Sequence, residues 1–238
     1  MTLAPDRLDR FARHIVLPEL GGAGQVALSQ AHIVLVGCGG IGSPALQYLA
    51  GAGVGKLTLI DSDEVDLSNL QRQTIFGEAD IGRSKAEAAA AWVGRFDGAI
   101  EVRAITTRLG GDNAAQLLDG ASLVLDGCDN FATRLAVSDA CVKAGVPLTS
   151  AAIGRFQGQV ANFAGHRPGE SCTHEFWVPD GSAMIYVSYR KGERERWICS
   201  LDPVTLADLR LMAMPPCSHL MSNARGTARR AVGRRGAL

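Results

Sequence analysis

The sequence has 238 residues, of which 47% are hydrophobic and 20% charged, so it is long and apolar enough for one domain with a buried core. Its net charge of zero gives no electrostatic indication of nucleic acid or an anionic membrane as a partner. No apolar run approaches the roughly 18 residues that span a bilayer, and Met1 is not followed by a secretory signal. The six scattered cysteines then predict a cytoplasmic protein with reduced thiols.

Short β-branched runs alternate with longer amphipathic segments from residue 32 onward. The pattern predicts six strands, at 32–36, 56–60, 100–104, 122–126, 147–152 and 158–164. It predicts three helices in this part of the chain, at 43–52, 84–96 and 131–144, with Ser84 as the N-cap of the second. This order is typical of the α/β class and predicts a doubly wound, Rossmann-like, mostly parallel sheet with helices on both faces.

The region after Gly169 has poor periodicity, clustered aromatic residues and a rising arginine content. The last fourteen residues contain five arginines and no acid, a composition typical of a solvated tail. Residues 170–238 are therefore predicted to be an irregular C-terminal segment, which is either folded or disordered.

Three glycines, Gly37, Gly39 and Gly42, have G-x-G-x-x-G spacing between the first predicted strand and the helix that follows it. Glycines at such a turn let phosphate oxygens approach the backbone at the positive end of a helix. Asp61 ends the second strand, where a carboxylate can accept hydrogen bonds from ribose hydroxyls. These features favour a nucleotide containing adenosine, either NAD or ATP, over a glycine turn kept only for tight packing.

The segment after Asp61 is long and polar for a turn that follows a Rossmann strand. Arg72 lies in it, and Lys85 follows at the start of the next predicted helix. Two cations near a nucleotide suit a triphosphate, because the leaving pyrophosphate carries charge that needs neutralisation. For each cation alone a solvated surface charge is the simpler interpretation, but together with the glycine loop they favour phosphate binding.

Asp129 and Asn130 follow the fourth predicted strand. Ligands of open α/β sheets bind outside the carboxyl ends of the strands, where this loop falls. Asp129 can hold a magnesium ion that bridges phosphate oxygens, and Asn130 can bond the nucleotide. Either residue can instead simply cap the helix predicted from Phe131.

Taken together, these residues resemble the family of MoeB, ThiF and HesA proteins, which are relatives of the ubiquitin-activating enzymes. The resemblance runs from Arg10 to Val160, about the first two-thirds of the chain. Its most specific parts are the glycine loop, Asp61, the run at 68–73, Lys85 and the pair at 129–130. We therefore expect an N-terminal helical arm at 1–30, an ATP-binding Rossmann-like adenylation domain at 31–169 and a divergent region at 170–238.

At matching positions, the resemblance implies roles for individual residues. Catalysis would rest on Arg13, Arg72, Lys85 and Asp129, with Asp129 holding Mg²⁺ through ATP. Arg13 matches an arginine that, in similar proteins, reaches the nucleotide of the partner subunit, so the resemblance implies a homodimer. ATP would be bound by the glycine loop, the strand-end carboxylate, the polar run and the later loop, namely by Gly37, Gly39, Gly40, Gly42, Asp61, Ser68, Asn69, Leu70, Gln71, Arg72, Lys85, Asp129 and Asn130.

The resemblance also implies an activity and a partner. A ubiquitin-like sulfur-carrier protein ending in Gly-Gly, similar to MoaD or ThiS, would attack the α-phosphate of ATP through its C-terminal carboxylate. Pyrophosphate would leave, and an acyl-adenylate would remain. The activated carboxylate would then accept sulfur for molybdopterin or thiamin synthesis, with a sulfurtransferase as a second candidate partner.

The C-terminal region departs from the family pattern. Similar proteins usually hold a structural zinc with two Cys-x-x-Cys pairs, and this sequence has no such pair. Its candidate ligands in the region, without that spacing, are Cys172, His174, Cys199, Cys217 and His219. No cysteine matches the position that some relatives use to bind the carrier covalently. The departure reflects either a shifted reading frame or a replaced C-terminal module.

Three other functions stay open. A relative that activates a carboxylate on tRNA by dehydration would use the same nucleotide pocket, although the run at 70–73 favours the sulfur-carrier group. A nucleotide-binding protein without activity is expected if the altered C-terminal region abolishes catalysis. A nicotinamide dehydrogenase is the least favoured, because Arg72 and Lys85 would have no evident task there.

Overall fold

The structure is a computed structural model that describes residues 3–154 and 158–163, together with the backbone of four strands between residues 176 and 214. The chain divides into two compact units, Met1–His166 and Arg167–Leu238, and each is described by itself below. Within the described residues, every helix is too short or too polar to cross a lipid bilayer.

The first unit is built on a six-stranded sheet with the strand order β3-β2-β1-β4-β5-β6. The strands are β1 (His32–Val36), β2 (Lys56–Ile60), β3 (Glu101–Ile105), β4 (Leu123–Asp126), β5 (Leu148–Ile153) and β6 (Gly158–Phe163). The helices are α1 (Pro5–Arg10), α2 (Ala12–Ile15), α3 (Gly21–Gln30), α4 (Gly42–Ala52), α5 (Lys85–Phe96), α6 (Ala114–Leu117) and α7 (Phe131–Ala144). Strands β1 to β5 are parallel to one another, and β6 pairs antiparallel with β5.

Apolar residues of β1 and β2 form one core with α4 and α5. Leu35, Leu57 and Leu59 are fully buried against Leu46 of α4 and Val93 of α5. Burying a leucine contributes roughly 1.5–3 kcal/mol relative to leaving it exposed, which explains why the most continuous apolar runs become the central strands. Because the chain reverses its strand order between β1 and β4, the carboxyl ends of these two strands form the switch point where ligands of such sheets bind.

The predicted fold class is confirmed, and β1 and β2 begin and end where the sequence predicts. Helix α5 begins at Lys85 with Ser84 as its N-cap, since the Ser84 hydroxyl accepts a hydrogen bond from the Glu87 N–H at 3.4 Å. Helix α6 has no counterpart in the prediction, because four residues are too few to display a helical period. The domain bounds at residues 30 and 169 stay predictions.

The N-terminal segment is anchored on the first unit by specific contacts. An Arg7 guanidinium nitrogen lies 2.7 and 2.8 Å from the two oxygens of Asp97, which follows the last residue of α5. The Phe11 ring is 2% exposed, and its Cζ atom lies 2.3 Å from the position that a Cβ on Gly53 would take. Gly53 also has a φ of +82°, so both its backbone and its neighbour exclude a side chain there.

The second unit contains a four-stranded antiparallel sheet with the order β10-β9-β8-β7. Its strands are β7 (Phe176–Trp177), β8 (Met184–Ser188), β9 (Arg196–Leu201) and β10 (Asp208–Met214). Short, interrupted alternation gives no prediction of strands in this region, although strands form. The arginine-rich tail, and the side chains that could bind zinc after Gly169, lie outside the described residues and side chains.

The ion pair between Asp97 and Arg7 predicts an acid-dependent loss of stability. Burial raises the pKa of Asp97, but hydrogen bonds from Arg7 and Ala99 and the charges of Arg7 and Arg10 outweigh it, so the pKa lies below its usual value. The stabilisation is therefore present above about pH 4 and is lost as the pH falls through the lowered pKa. We expect Asp97→Asn to cost about 1–3 kcal/mol of unfolding free energy at neutral pH, measured by urea denaturation.

The control is Glu101→Gln, which breaks the exposed ion pair with Lys56 and is expected to cost less than about 1 kcal/mol. The difference between wild type and Asp97→Asn should shrink as the pH falls from about 4 through the lowered pKa of Asp97. A difference that stays constant down to the most acidic pH at which both proteins remain folded would mean that the Asp97 carboxylate does not contribute its charge to stability.

Candidate functional site

The loop between β1 and α4 approaches the loop after β4 at backbone distance. Gly37 has a φ of +87°, and a Cβ there would lie 3.0 Å from the Cys128 nitrogen. A Cβ on Gly42 would lie 1.8 Å from the Gly37 oxygen, and one on Gly127 would lie 3.1 Å from a methyl carbon of Ile41. These three glycines are therefore required by the packing of the protein itself.

Gly39 and Gly40 are different, because the protein leaves room for a side chain at both. A Cβ on Gly39 would meet only the Gln73 side chain, at 3.6 Å, and one on Gly40 would meet only the Arg72 side chain, at 3.4 Å. The backbone N–H groups of Gly39, Gly40 and Ile41 donate no hydrogen bond within the described part of the chain. Free N–H groups at the start of the eleven-residue helix α4 form an anion-binding geometry.

Asp61 at the end of β2 closes one side of this loop. Its carboxylate accepts hydrogen bonds from the backbone N–H groups of Cys38 at 2.7 Å and Asp63 at 2.9 Å. Burial raises the pKa of Asp61, and these two hydrogen bonds oppose that effect. Asp61 thus connects the glycine loop to the polar run that follows β2.

The polar run is shaped by a capping box. The Asp66 carboxylate accepts from the Ser68 N–H at 2.7 Å, and the Asn69 side-chain oxygen accepts from the Asp66 N–H at 3.2 Å. Arg72 then donates to the Ser68 carbonyl at 3.1 Å, and its side chain lies next to Gly40. The structure therefore brings Arg72 to the glycine loop, as the sequence predicts.

The other residues of the run have different environments. Leu70 packs against the hydrophobic core, whereas Gln71 is exposed. Gln73 is 2% exposed, and its buried side-chain oxygen has no hydrogen-bond partner among the residues that the structure describes. This amide lies against Gly39 and was not predicted as part of the site, since a glutamine at the end of a polar run carries no signal of burial.

Lys85 is a buried cation at the first turn of α5. It is 8% exposed, and its ammonium lies 3.2 Å from a carboxylate oxygen of the exposed Asp63. Burial raises the pKa of Asp61 and that of Cys38 in the glycine loop, and the nearby charge of Lys85 partly opposes this rise. A buried ammonium needs an anionic partner, and an exposed carboxylate is a partner that an incoming phosphate can replace.

Asn130 and Asp129 have different environments in the loop after β4. The Asn130 side-chain oxygen accepts from the Thr133 N–H at 3.1 Å, so Asn130 is the N-cap of α7. Asp129 is exposed, and its carboxylate has no partner among the residues that the structure describes. Of the two alternatives drawn from the sequence, capping is therefore observed for Asn130, and Asp129 stays free to bind a ligand.

Arg13 lies at the far end of α4 from the glycine loop. Its neighbour Phe11 packs on Gly53, and its neighbour His14 bonds Gln25, whose amide donates to the Ala52 carbonyl at 2.9 Å. Helix α4 has eleven residues, so this end is about 16 Å from the glycine loop. Arg13 itself is exposed and pairs with no carboxylate in the described region.

Neither of the two cysteines near the site is set up as a nucleophile. Burial and the charge of Asp61 raise the pKa of Cys38. Burial and the charge of Asp126 raise the pKa of Cys128 to about 12. Both side chains are therefore neutral thiols at pH 7, and a thiol is a poor nucleophile.

The sequence of this chain is similar to those of known proteins. The profile of the ThiF family matches residues 11–195. The adenylyltransferase and sulfurtransferase MOCS3 of Mus musculus is 48% identical over 71% of this chain and 36% of its own length. The sulfur carrier protein adenylyltransferase of Thermus thermophilus is 42% identical over 71% of this chain and 61% of its own length.

One solved structure is the E. coli tRNA N6-threonylcarbamoyladenosine dehydratase TcdA in complex with ATP. It is similar to this chain with a TM-score of 0.61 and 29% identity, over 66% of this chain and 65% of its own. The present chain spans less than two thirds of the length of each of these relatives.

Two glycines of the loop are expected to differ sharply in their tolerance of alanine. Gly42→Ala forces a Cβ onto the Gly37 oxygen, so we expect a loss of at least about 2 kcal/mol of unfolding free energy. Gly39→Ala meets only a flexible side-chain end and should change stability by less than about 1 kcal/mol. Denaturant unfolding of the two variants measures both, and equal losses would contradict this account of the loop.

Proposed function

The chain belongs to the ThiF family, and we propose that it is an ATP-dependent adenylyltransferase that activates the C-terminal glycine of a ubiquitin-like sulfur-carrier protein. The observation that carries the proposal is the convergence of Arg72 and free backbone N–H groups on one glycine loop. Lys85 lies near the same loop, since its charge acts on the Cys38 side chain. Such a concentration of donors and cations suits a triphosphate that releases pyrophosphate.

The residues take the following roles in ATP binding. The N–H groups of Gly39 and Gly40 bind phosphate oxygens, and Asp61 accepts from the ribose hydroxyls. Arg72 and Lys85 neutralise the phosphates, with Lys85 exchanging its bond to Asp63 for one to phosphate. Further contacts come from the flanking residues of the two loops, namely Gly37, Gly42, Ser68, Asn69, Leu70, Gln71 and Asn130.

Asp129 fits the binding of Mg²⁺ together with ATP. Its carboxylate is exposed and has no partner in the described part of the chain, and magnesium commonly uses one or two carboxylates plus substrate phosphates. When bound, the ion would neutralise phosphate charge. For zinc, the sequence lacks Cys-x-x-Cys pairs, no group of three metal-binding side chains occurs among the described residues, and the candidate ligands after Gly169 lie outside them.

The chemistry requires positioning and charge neutralisation more than covalent help. A carboxylate oxygen of the carrier glycine forms a bond to the α-phosphorus, while the bond from that phosphorus to the bridging oxygen breaks. Negative charge then grows on the departing pyrophosphate, where Arg72, Lys85 and the loop N–H groups stabilise it. The product is an acyl-adenylate that is ready to accept sulfur.

The proposed protein substrate is inferred from the relatives of this chain. Proteins named as sulfur-carrier adenylyltransferases or as adenylyltransferase and sulfurtransferase are 42% and 48% identical to this chain. We therefore propose a carrier ending in Gly-Gly as the substrate, with molybdopterin or thiamin synthesis as the destination of the sulfur. A sulfurtransferase is the partner that would act on the acyl-adenylate.

We further propose that the enzyme acts as a homodimer. The segment that carries Arg13 packs through Phe11 on Gly53, at the end of α4 that is about 16 Å from the glycine loop, farther than an arginine side chain reaches. An exposed arginine without a carboxylate partner can instead reach the nucleotide of a second copy, as the family resemblance implies. The active site would then be complete only in the dimer.

A second candidate function is supported by one comparison. The TcdA dehydratase, solved with ATP, has the same fold over 66% of this chain at 29% identity. An enzyme of that type would activate a carboxylate on tRNA rather than on a protein. Dependence of ATP turnover on tRNA, instead of on a Gly-Gly carrier, would favour this alternative.

We expect ATP–pyrophosphate exchange that depends on magnesium and on a carrier ending in Gly-Gly. Asp129→Ala should reduce the exchange rate by at least about 100-fold, because it removes a group that organises the reacting phosphates. Asp119→Ala is the matched control, since Asp119 is exposed and precedes Gly120, which bonds His32 at the opposite end of β1. A normal exchange rate in Asp129→Ala would contradict the proposed role of Asp129 in organising the phosphates. Failure of the wild-type protein to bind ATP would refute the proposed pocket.

Mixing two inactive variants tests the role of Arg13 across the dimer. Hybrids of Arg13→Ala with Asp129→Ala contain one site in which both residues are intact, provided that Arg13 acts on the partner subunit. Random pairing should then restore about a quarter of the wild-type exchange rate. No recovery, in hybrids shown to form by native mass spectrometry, would mean that Arg13 acts within its own chain.

A further inference from the structure

A buried network lies beneath the loop that carries Asp129. Asp126 at the end of β4 is 0% exposed. One of its carboxylate oxygens accepts from the Cys128 N–H at 3.0 Å, and the other accepts from the Ser150 hydroxyl at 2.9 Å. Arg134 of α7 completes an ion pair with the second oxygen at 3.3 Å.

Arg134 connects this carboxylate to two backbone segments. One guanidinium nitrogen donates to the Cys128 carbonyl at 2.6 Å and to the Ala151 carbonyl at 2.9 Å. The other donates to the Ser150 hydroxyl at 2.5 Å. Both backbone polar groups of Cys128 are thus held by one ion pair, which has a fully buried carboxylate and a partly buried guanidinium and is itself fixed to β5.

Asp129 is the next residue after Cys128, and Asn130 follows as the N-cap of α7. The backbone is therefore held on both sides of Asp129, while the Asp129 carboxylate has no partner in the part of the chain that is described. Gly37 of the glycine loop lies against the same Cys128 backbone. The network consequently sets the position of Asp129 relative to the glycine loop.

Stability alone does not account for this arrangement. Burying two charges carries a desolvation cost that often cancels their attraction, so a well-packed apolar pair would stabilise the fold as well. What the charged pair adds is a defined geometry, because a planar guanidinium donates to three acceptors at fixed angles. Donors fixed in this way suit a loop that must hold the Asp129 carboxylate in one position.

We propose that Arg134, Asp126 and Ser150 are positioning residues that hold Asp129 in its productive place. The proposal rests on the proposed function, in which Asp129 organises the phosphates of ATP. We expect its main effect on the turnover step, because Arg72 and Lys85, the cations proposed to bind the phosphates, are held by Ser68 and Asp63 and not by this network. Arg134→Lys keeps the positive charge but loses the two guanidinium nitrogens that donate to separate acceptors, and Ser150→Ala removes a single hydroxyl.

The first test is the kinetics of carrier-dependent ATP–pyrophosphate exchange. Arg134→Lys should lower kcat by about 10- to 100-fold, and Ser150→Ala by about 3- to 10-fold, because small displacements of catalytic groups have large effects on rate. The KM for ATP should change by less than about twofold. Thr149→Ala is the matched control, since its hydroxyl lies next to Ser150 in sequence but bonds Asn162.

A double-variant comparison separates positioning from a general loss of structure. In an Asp129→Asn background, Arg134→Lys should cause no further loss of exchange, since the residue through which it acts is already disabled. If Arg134→Lys multiplies the loss in that background by its full single-variant factor, Arg134 does not act through Asp129. The proposal is then wrong.

Hydrogen–deuterium exchange of the whole chain supplies a readout that does not need activity. The Cys128 amide, which donates to Asp126, should exchange at least about tenfold faster in Arg134→Lys and in Ser150→Ala, but not in Thr149→Ala. Unchanged exchange in both variants would overturn the proposal. If wild type lacks ATP–pyrophosphate exchange, the proposed function fails, and this measurement still decides whether the network fixes the loop.

Discussion

The site depends on a backbone contact between the loops that follow β1 and β4. Gly37, Gly42 and Gly127 permit it, because a Cβ on any of them would meet a neighbouring atom at 3.1 Å or less. The contact lies at the switch point of the sheet, where the two loops diverge to opposite sides. It brings the N-terminal end of α4, which we propose binds phosphate, next to the loop that carries Asp129, and the other groups of the site lie around this contact.

The added groups are stabilised before any ligand arrives. Lys85 is buried but has Asp63 as a counter-ion, and Arg72 is held by the Ser68 carbonyl beside Gly40. Asp63 and Ser68 are both exposed, so their interactions with the two cations contribute little free energy, which lowers the cost of exchanging them for phosphate. Gln73 is the exception, since its buried oxygen has no hydrogen-bond partner within the described part of the chain. Burial of an unsatisfied oxygen costs free energy that a bound ligand or water can recover.

The sequence predicts the framework well and the supporting contacts poorly. Strands β1 and β2 are apolar and continuous, and the glycines at 37, 39 and 42 have a spacing with a direct physical meaning, so these features were predictable. Arg134 was not predictable as part of the site, because Ser150, which bonds both Arg134 and Asp126, lies on β5 and meets them only through the pairing of β4 with β5. Asn130 was predicted with two possible roles, and only its hydrogen bond to Thr133 identifies the cap.

Asp129 and Arg13 are linked to the framework in opposite ways. Asp129 is adjacent to a buried ion pair that fixes its backbone, whereas Arg13 lies in a short helix anchored by Phe11 at the far end of α4. The first arrangement suits a group that must hold one position throughout the reaction. The second suits a group exposed toward another molecule, since the anchor orients the helix while the guanidinium stays in solvent. In the proposed function, the same helix α4 would bind a phosphate at its N-terminus and, through the packing of Phe11 on Gly53, would support the arginine that acts on a second site.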